Sequence, residues 1–340
     1  MNQSEYSKKQ HLSLPFSDAR RGFLKTAGAT AISLALTPGA LAHLSHLSKT
    51  IRIGCIADLH QDIMHDGPAR MDAFLKKMAS VKPDAIMQLG DFAYPNKKND
   101  AVITPFNQGH RHALHVIGNH DTDNGHTKQQ CLDIWGMPAP YYTHDMGSLR
   151  LIVLDCNERT ENQKGYPAHI NNEQLEWLKN QLSAHSGPFI LASHQPLAGP
   201  AAIDNGQDFH GILKEHADKI LLCINGHTHL DMVAYAGTIS CFHVNSASYY
   251  WMGGNYRHES YTKEIHKKHP WISYTCPYRD PLFAIITLDP KTGTIKVQGQ
   301  DSIWVGPSPR ALGLTLGENL RHGHEVVPKI QPRQIKRSAL

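Results

Sequence analysis

No pair among the six cysteines, Cys55, Cys131, Cys156, Cys223, Cys241 and Cys276, has the Cys-x-x-Cys spacing of a thiolate metal clip. Four of them (Cys55, Cys156, Cys223 and Cys241) lie in or beside apolar runs, where a thiol behaves as a small hydrophobe. There is no Gly-x-Ser-x-Gly elbow and no glycine loop of the Walker or dinucleotide type, so serine acyl transfer and loop-cradled nucleotide chemistry have no residues to run on. Charge of one sign is scarce as well. The formal net charge is +4 over 340 residues. Residues 1–42 account for +3 of it, with Lys8, Lys9, Arg20, Arg21 and Lys25 against Glu5 and Asp18. No basic stripe marks a groove, and no nucleic-acid partner is expected. The uncharged run from Thr26 to Ala42 is shorter than the roughly 20 residues of a membrane-spanning helix. Gly28, Pro38 and Gly39 interrupt it, and no later segment reads as a span.

What the chain does have is 24 histidines, 40% hydrophobic residues and 19% charged ones. The last two figures fit a globular protein with a sizeable core. Histidine in such number points toward metal ligation and proton transfer. The N-terminal stretch "DARRGFLKTAGATAISLALTPGALA" sets Arg20-Arg21 before Phe23, Leu24 and Lys25, and ends on Ala40-Leu41-Ala42. It resembles a bacterial twin-arginine signal. That implies export by the twin-arginine machinery to the periplasm or beyond, cleavage after Ala42, and no stable membrane anchor afterwards. Residues 43–50 then read as a linker.

From residue 51 onward short apolar runs alternate with amphipathic ones. "IRIGCIA", "DAIMQLG", "HALHVIG", "LRLIVLD", "GPFILAS" and "KILLCIN" are too short and too β-branched for buried helices and read as strands. "ARMDAFLKKMASV" places Met71, Phe74, Leu75 and Met78 on one helical face. "NNEQLEWLKNQLSAH" does the same with Leu175, Trp177, Leu178 and Leu182, behind a cap at Asn171 or Asn172. Such alternation implies an α/β architecture with its sheet between helices. "AYAGTISCFHVNS" and "LFAIITLDPKTGTIKVQG" read as hairpins. The domain is expected over 51–305, with 306–340 as a loosely ordered C-terminal tail.

Five strands end on metal-ligand or proton-transfer residues, in order: Asp58-Leu59-His60, Gly90-Asp91, Gly118-Asn119-His120-Asp121, His194, and Gly226-His227-Thr228-His229. One such ending is usually a turn or a cap. Five in order, at the carboxyl ends where α/β sites gather, point to one site. This set of blocks resembles the calcineurin-like metallophosphoesterase superfamily over about residues 51 to 300. The resemblance implies a four-layer α/β/β/α sandwich of two mixed sheets flanked by helices. It also implies two metal ions at its mouth. Asp58, His60 and His229 would hold the first ion, and Asn119, His194 and His227 the second. Asp91 would bridge them with one carboxylate oxygen on each. Carboxylate, amide and imidazole donors suit Mn, Fe, Zn or Co. The implied reaction is hydrolysis of a small phosphate ester, a phosphodiester or phosphomonoester including nucleotides and cyclic nucleotides. A metal-activated hydroxide would attack in line at phosphorus. His120 would serve the leaving oxygen, with Asp121 orienting its ring.

Two alternatives stand beside this reading, and one segment can be read in two ways. Gly90-Asp91-Phe92-Ala93-Tyr94 also fits the Gly-Asp-x-x-Tyr block of purple acid phosphatases, where the tyrosine binds iron. A non-catalytic metal-binding scaffold on the same fold is another, which the presence of His120 disfavours. The aromatic-rich segment 245–280, "NSASYYWMGGNYRHESYTKEIHKKHPWISYTCPYRD", reads either as an insertion packed on the core or as a lid. As a lid, Tyr250 and Trp251 would stack on a ringed substrate.

Overall fold

The structure is a computed structural model that describes residues 34–161, 165–315, 320 and 324–337. Arg20-Arg21 and the rest of residues 1–33 lie outside the described residues. The chain starts with a short strand β1 (Leu34–Leu36) and helix α1 (Pro38–Ser45), then runs β2 (Ile51–Ile56), α2 (Gly67–Val81), β3 (Ala85–Gln88), α3 (Asp100–Gly109) and β4 (Ala113–His115). Next come α4 (Lys128–Trp135), β5 (Tyr142–Met146), β6 (Leu149–Val153), α5 (Asn172–Ala184), β7 (Phe189–Ser193), α6 (Gly206–Glu215) and β8 (Ile220–Asn225). The hairpin β9 (Met232–Ala236) and β10 (Ile239–His243) follows, then β11 (Tyr249–Trp251), α7 (Lys263–Lys268) and β12 (Thr275–Pro277). The hairpin β13 (Ala284–Asp289) and β14 (Thr294–Gln298) precedes a last strand, β15 (Arg333–Arg337). Among the described residues no helix is long and apolar enough to cross a membrane.

β11 and β12 pair in a small ribbon of their own, and of the two large sheets one has the order β1-β15-β14-β13-β2-β3-β4 and the other β5-β6-β7-β8-β10-β9. Both are mixed: β2, β3 and β4 run parallel, as do β6, β7, β8 and β10, with antiparallel hairpins at the flanks. The period of two along a strand sorts the side chains into layers. Leu151 and Val153 join Ile53, Met87 and Ile286 in the core between the sheets, while Ile152 and Leu154 face a second core under α5 and α6. The same sorting sends Ile190, Ala192, Leu222 and Ile224 inward and Phe189, Leu191 and Cys223 outward. Met71, Phe74 and Met78 of α2 close the opposite outer face. The result is the expected four-layer α/β/β/α sandwich, with both hairpins where the turn residues put them.

The ends of the domain differ from expectation. The boundary at residue 51 and the linker over 43–50 do not fit, because Leu36, Ala40, Leu44 and Leu47 are buried in the main core. The Thr37 hydroxyl caps α1 by accepting the Ala40 N–H, and it also donates to Asp218. A cut after Ala42 would fall inside this helix. The tail over 306–340 is not loose throughout either. Ile330 and Ile335 are buried, and β15 pairs with β14 on one side and β1 on the other. The segment before it is pinned by Asn245, which donates to the carbonyls of Val327 and Lys329, and the first residue of β15 by an Arg333–Asp231 ion pair.

Candidate metal centre

The seven expected donors converge. Asp58 and His60 follow β2, Asp91 follows β3, Asn119 follows β4, His194 follows β7, and His227 and His229 follow β8. The carboxyl ends of strands from both sheets therefore open onto one mouth. Asp58, His60 and His229 form one group and Asp91, His194 and His227 another, each with its ligand atoms within 4.8 Å of one another. Asn119 joins the second group, its Oδ1 lying 3.1 Å from His194 Nε2.

The way the rings are tied shows what the groups are built to hold. His229 Nδ1 lies 2.7 Å from the Tyr249 carbonyl and His194 Nδ1 lies 2.7 Å from that of Leu89. A carbonyl accepts only, so each Nδ1 carries its proton outward and each Nε2 lone pair faces the site, the usual arrangement of a ligating histidine. His229 Nε2 stands 3.3 Å from both His60 Nε2 and Asp58 Oδ1. His194 Nε2 stands 3.2 Å from both His227 Nδ1 and Asp91 Oδ2. Ligand bonds of about 2.0–2.2 Å put neighbouring donors roughly 3.0–3.5 Å apart, so both groups fit a cation at their centre. Electrostatics agree: burial opposes charge on His194, yet Asp91 outweighs it and lifts the pKa to about 9. The cluster calls for positive charge, and a proton or a metal ion can meet that demand. Asp91 differs in one detail from expectation. Its Oδ1 accepts the His120 N–H at 2.8 Å, and Oδ2 alone faces both groups, 3.2 Å from His194 Nε2 and 3.7 Å from His60 Nε2.

The loops reach this geometry under strain. Asp58, His60, Asp91, His227 and His229 all have φ between 47° and 70°, a region that non-glycine residues rarely occupy. Such strain persists where surrounding contacts over-determine it, and it clusters at functional sites. Two glycines of the blocks are needed for close approach. A Cβ on Gly118 would collide with the Asp91 backbone nitrogen, and one on Gly90, itself at φ 92°, would collide with the His194 ring.

The calcineurin-like phosphoesterase family model matches residues 51–231, more than half of the chain. The chain belongs to that family. Its described residues include two candidate metal-binding groups. A Synechococcus protein named as a probable cyclic nucleotide phosphodiesterase is 27% identical over 128 residues, which is 34% of this chain and 46% of that protein. The match thus spans under half of that relative's length. A dimetal phosphatase from Danio rerio shares the fold at TM-score 0.55 and 13% identity, over 76% of this chain and 99% of that one. GAP50, the anchor in the inner membrane complex of Plasmodium, shares it at TM-score 0.52 and 14% identity, over 86% and 91%.

Around the donors the chain departs from expectation in three places. Asp121 does not orient His120. Its buried carboxylate accepts the backbone N–H groups of Asp91, Phe92, Ala93 and Gly118 at 2.7–3.2 Å, clamping the Asp91 loop to the Asn119 loop. Burial and the Asp91 charge push its pKa up to about 8, against the pull of those donors. The partners of His120 are instead Asp123, whose Oδ2 is 2.7 Å from Nδ1, and the Tyr166 hydroxyl at 3.1 Å. Asp123 was reachable from the sequence, since Asn119-His120-Asp121-Thr122-Asp123 offers two carboxylates and only the turn chooses between them. Tyr166 left no signal there.

Tyr94 lines the small cavity beside His60, Asp91 and His120, but its hydroxyl accepts the Asn124 amide at 2.7 Å. His60 supplies one of the first group's two imidazoles, so the iron–phenolate arrangement has no support in this geometry. Tyr250 and Trp251 line neither cleft beside the donors. Trp251 stacks on Tyr274, with centroids 5.8 Å apart and planes 9° apart. Segment 245–280 packs a small core of its own on Met64, Tyr249 and Ile272. The residue of this segment that does reach the site is Tyr249, whose ring lies 5.0 Å from those of His60 and His229.

Proposed function

We propose that this phosphoesterase hydrolyses phosphodiesters or phosphomonoesters, with nucleotides and cyclic nucleotides as the first substrates to try. One observation carries the reading. Asp91 Oδ2 lies between two groups of donors, all buried but the half-buried His227, with the Nε2 lone pairs of His194 and His229 facing inward, and His120 stands beside them with Nε2 free of hydrogen bonds among the described residues. Asp58, His60 and His229 would hold one cation and Asn119, His194 and His227 another, with Asp91 shared. Two cations there would supply Lewis acidity, binding phosphate and acidifying water. The chain's own residues do the rest. The carbonyls of Tyr249 and Leu89 fix the ring tautomers, and Asp121 holds the Asp91 loop in place. Asp123 keeps the Nδ1 proton of His120, which leaves Nε2 to hand a proton to the leaving oxygen as the P–O bond breaks. That arrangement favours catalysis over a scaffold role. The Synechococcus relative's name supports the cyclic-nucleotide choice. Export by the twin-arginine route belongs to the same proposal and rests on Arg20-Arg21 and the apolar run behind them.

The test is metal analysis of the purified protein alongside turnover of p-nitrophenyl phosphate, its bis ester, cyclic AMP and ADP-ribose. About two ions per chain are expected, with activity lost on chelation. Asp91→Ala should lower kcat by two to three orders of magnitude, the range seen when a main electrostatic stabiliser is removed. Full turnover by metal-free protein, or by the Asp91→Ala variant, overturns the reading.

A further inference from the structure

We infer that Tyr166 is a positioning residue that holds the Asp123–His120 pair ready for leaving-group protonation. The inference rests on the role of His120 proposed above. Three polar atoms meet in a triangle. Asp123 Oδ2 is 2.7 Å from His120 Nδ1, Tyr166 Oη is 2.8 Å from Asp123 Oδ2, and Tyr166 Oη is 3.1 Å from His120 Nδ1. The tyrosine hydroxyl donates to the carboxylate and the His120 Nδ1–H donates to the same oxygen. The Tyr166 and His120 rings also touch, with centroids 4.5 Å apart.

Asp123 cannot hold that geometry alone. It reaches His120 from only three residues away, on a short 3-10 turn in which Asn124 sits at φ 56°. Its side chain and that of His120 are each 30% exposed, so water competes for every bond between them. Tyr166 arrives from the separate segment between β6 and α5, 46 residues along the chain, and places its hydroxyl on both members of the pair. A second contact on the same carboxylate oxygen makes rotation of Asp123 toward solvent cost two hydrogen bonds rather than one. Tyr166 also walls an open cleft of about 470 Å³ that it shares with Asn119, Thr122, Asp123 and Asn157.

The test compares Tyr166→Phe with the parent enzyme on p-nitrophenyl and phenyl phosphate esters, as monoesters or diesters according to which is turned over. A p-nitrophenolate departs without a proton, whereas the more basic phenolate needs one. The variant should keep its KM and its kcat on the nitrophenyl ester, and lose about tenfold in kcat on the phenyl ester, a modest share of what general-acid catalysis contributes. In a His120→Ala background the same substitution should do nothing further. Equal losses on both esters, or a full loss added to that of His120→Ala, overturns the positioning role. So does an intact Tyr166→Phe beside an impaired His120→Ala, which leaves the His120 reading standing. An unimpaired His120→Ala removes that reading and this inference together.

Discussion

The carboxylate of Asp121 accepts the backbone N–H of Asp91 at 2.9 Å, and that of Gly118 at 2.7 Å, so one buried side chain ties together two donor-bearing loops from neighbouring strands. Asp121→Asn keeps the size but turns an NH2 group toward N–H donors that need an acceptor. The substitution should cost about 2–4 kcal/mol of stability, the range for a broken buried network. It should also weaken metal retention more than it changes the dependence of rate on leaving group. Unfolding curves and bound-metal stoichiometry of the variant check both. Unchanged stability would show that the clamp has no structural weight.

Trp251 offers a contrast, because its ring is spent on Tyr274 and Tyr249 rather than on the mouth of the site. Trp251→Ala should destabilise by about 3 kcal/mol, as truncation of a packed aromatic does, and leave KM unchanged. A raised KM at unchanged melting temperature would restore the lid reading of segment 245–280.

His115 makes the fold sensitive to acid at a distance from the metal donors. It is fully buried, with Nε2 2.7 Å from the Asn107 amide oxygen, Nδ1 3.1 Å from the Gln88 amide nitrogen, and its ring stacked on Trp135. None of these partners is charged, and burial pulls its pKa down to about 3. The unfolded chain takes up the proton near pH 6.5. The contribution of a neutral His115 is thus fully present above that pH and is lost as pH falls toward 3, at about 1.4 kcal/mol per unit. Urea unfolding between pH 6 and pH 4 should show a slope shallower by about that amount in His115→Gln. Identical slopes would mean that His115 is not buried in neutral form.

The N-terminal element gives a prediction about processing. A chain starting at residue 34 keeps Leu36 and Ala40 in the core, whereas one starting at residue 43 loses both and keeps only three of the eight residues of α1. The shorter chain should be less stable by about 3 kcal/mol, the worth of one buried leucine and its neighbours, with a melting temperature lower by several degrees. Thermal unfolding of the two truncations decides. Equal melting temperatures would make a cut after Ala42 harmless to the fold.

The donors were legible in sequence because each is local. An apolar run, a glycine and a ligand residue follow one another within a few positions, and the strand carries them to the same rim. The layers were legible for the same reason, through the inward–outward alternation of residues such as Leu151 and Ile152. What was not legible depended on partners far along the chain. Tyr166 meets His120 only through the fold. β15 has a single buried apolar side chain, Ile335, and gains strand geometry from β14. The choice between Asp121 and Asp123 turned on a 3-10 turn that no spacing rule encodes.

Donors from one sheet (Asp58, His60, Asp91 and Asn119) stand against donors from the other (His194, His227 and His229). A pair of ions seated among them would act as rivets across the seam of the sandwich. Stripping them should leave the helical flanks intact and let the seam breathe at this end first, where hydrogen exchange in the loops after β2, β3, β7 and β8 would record it.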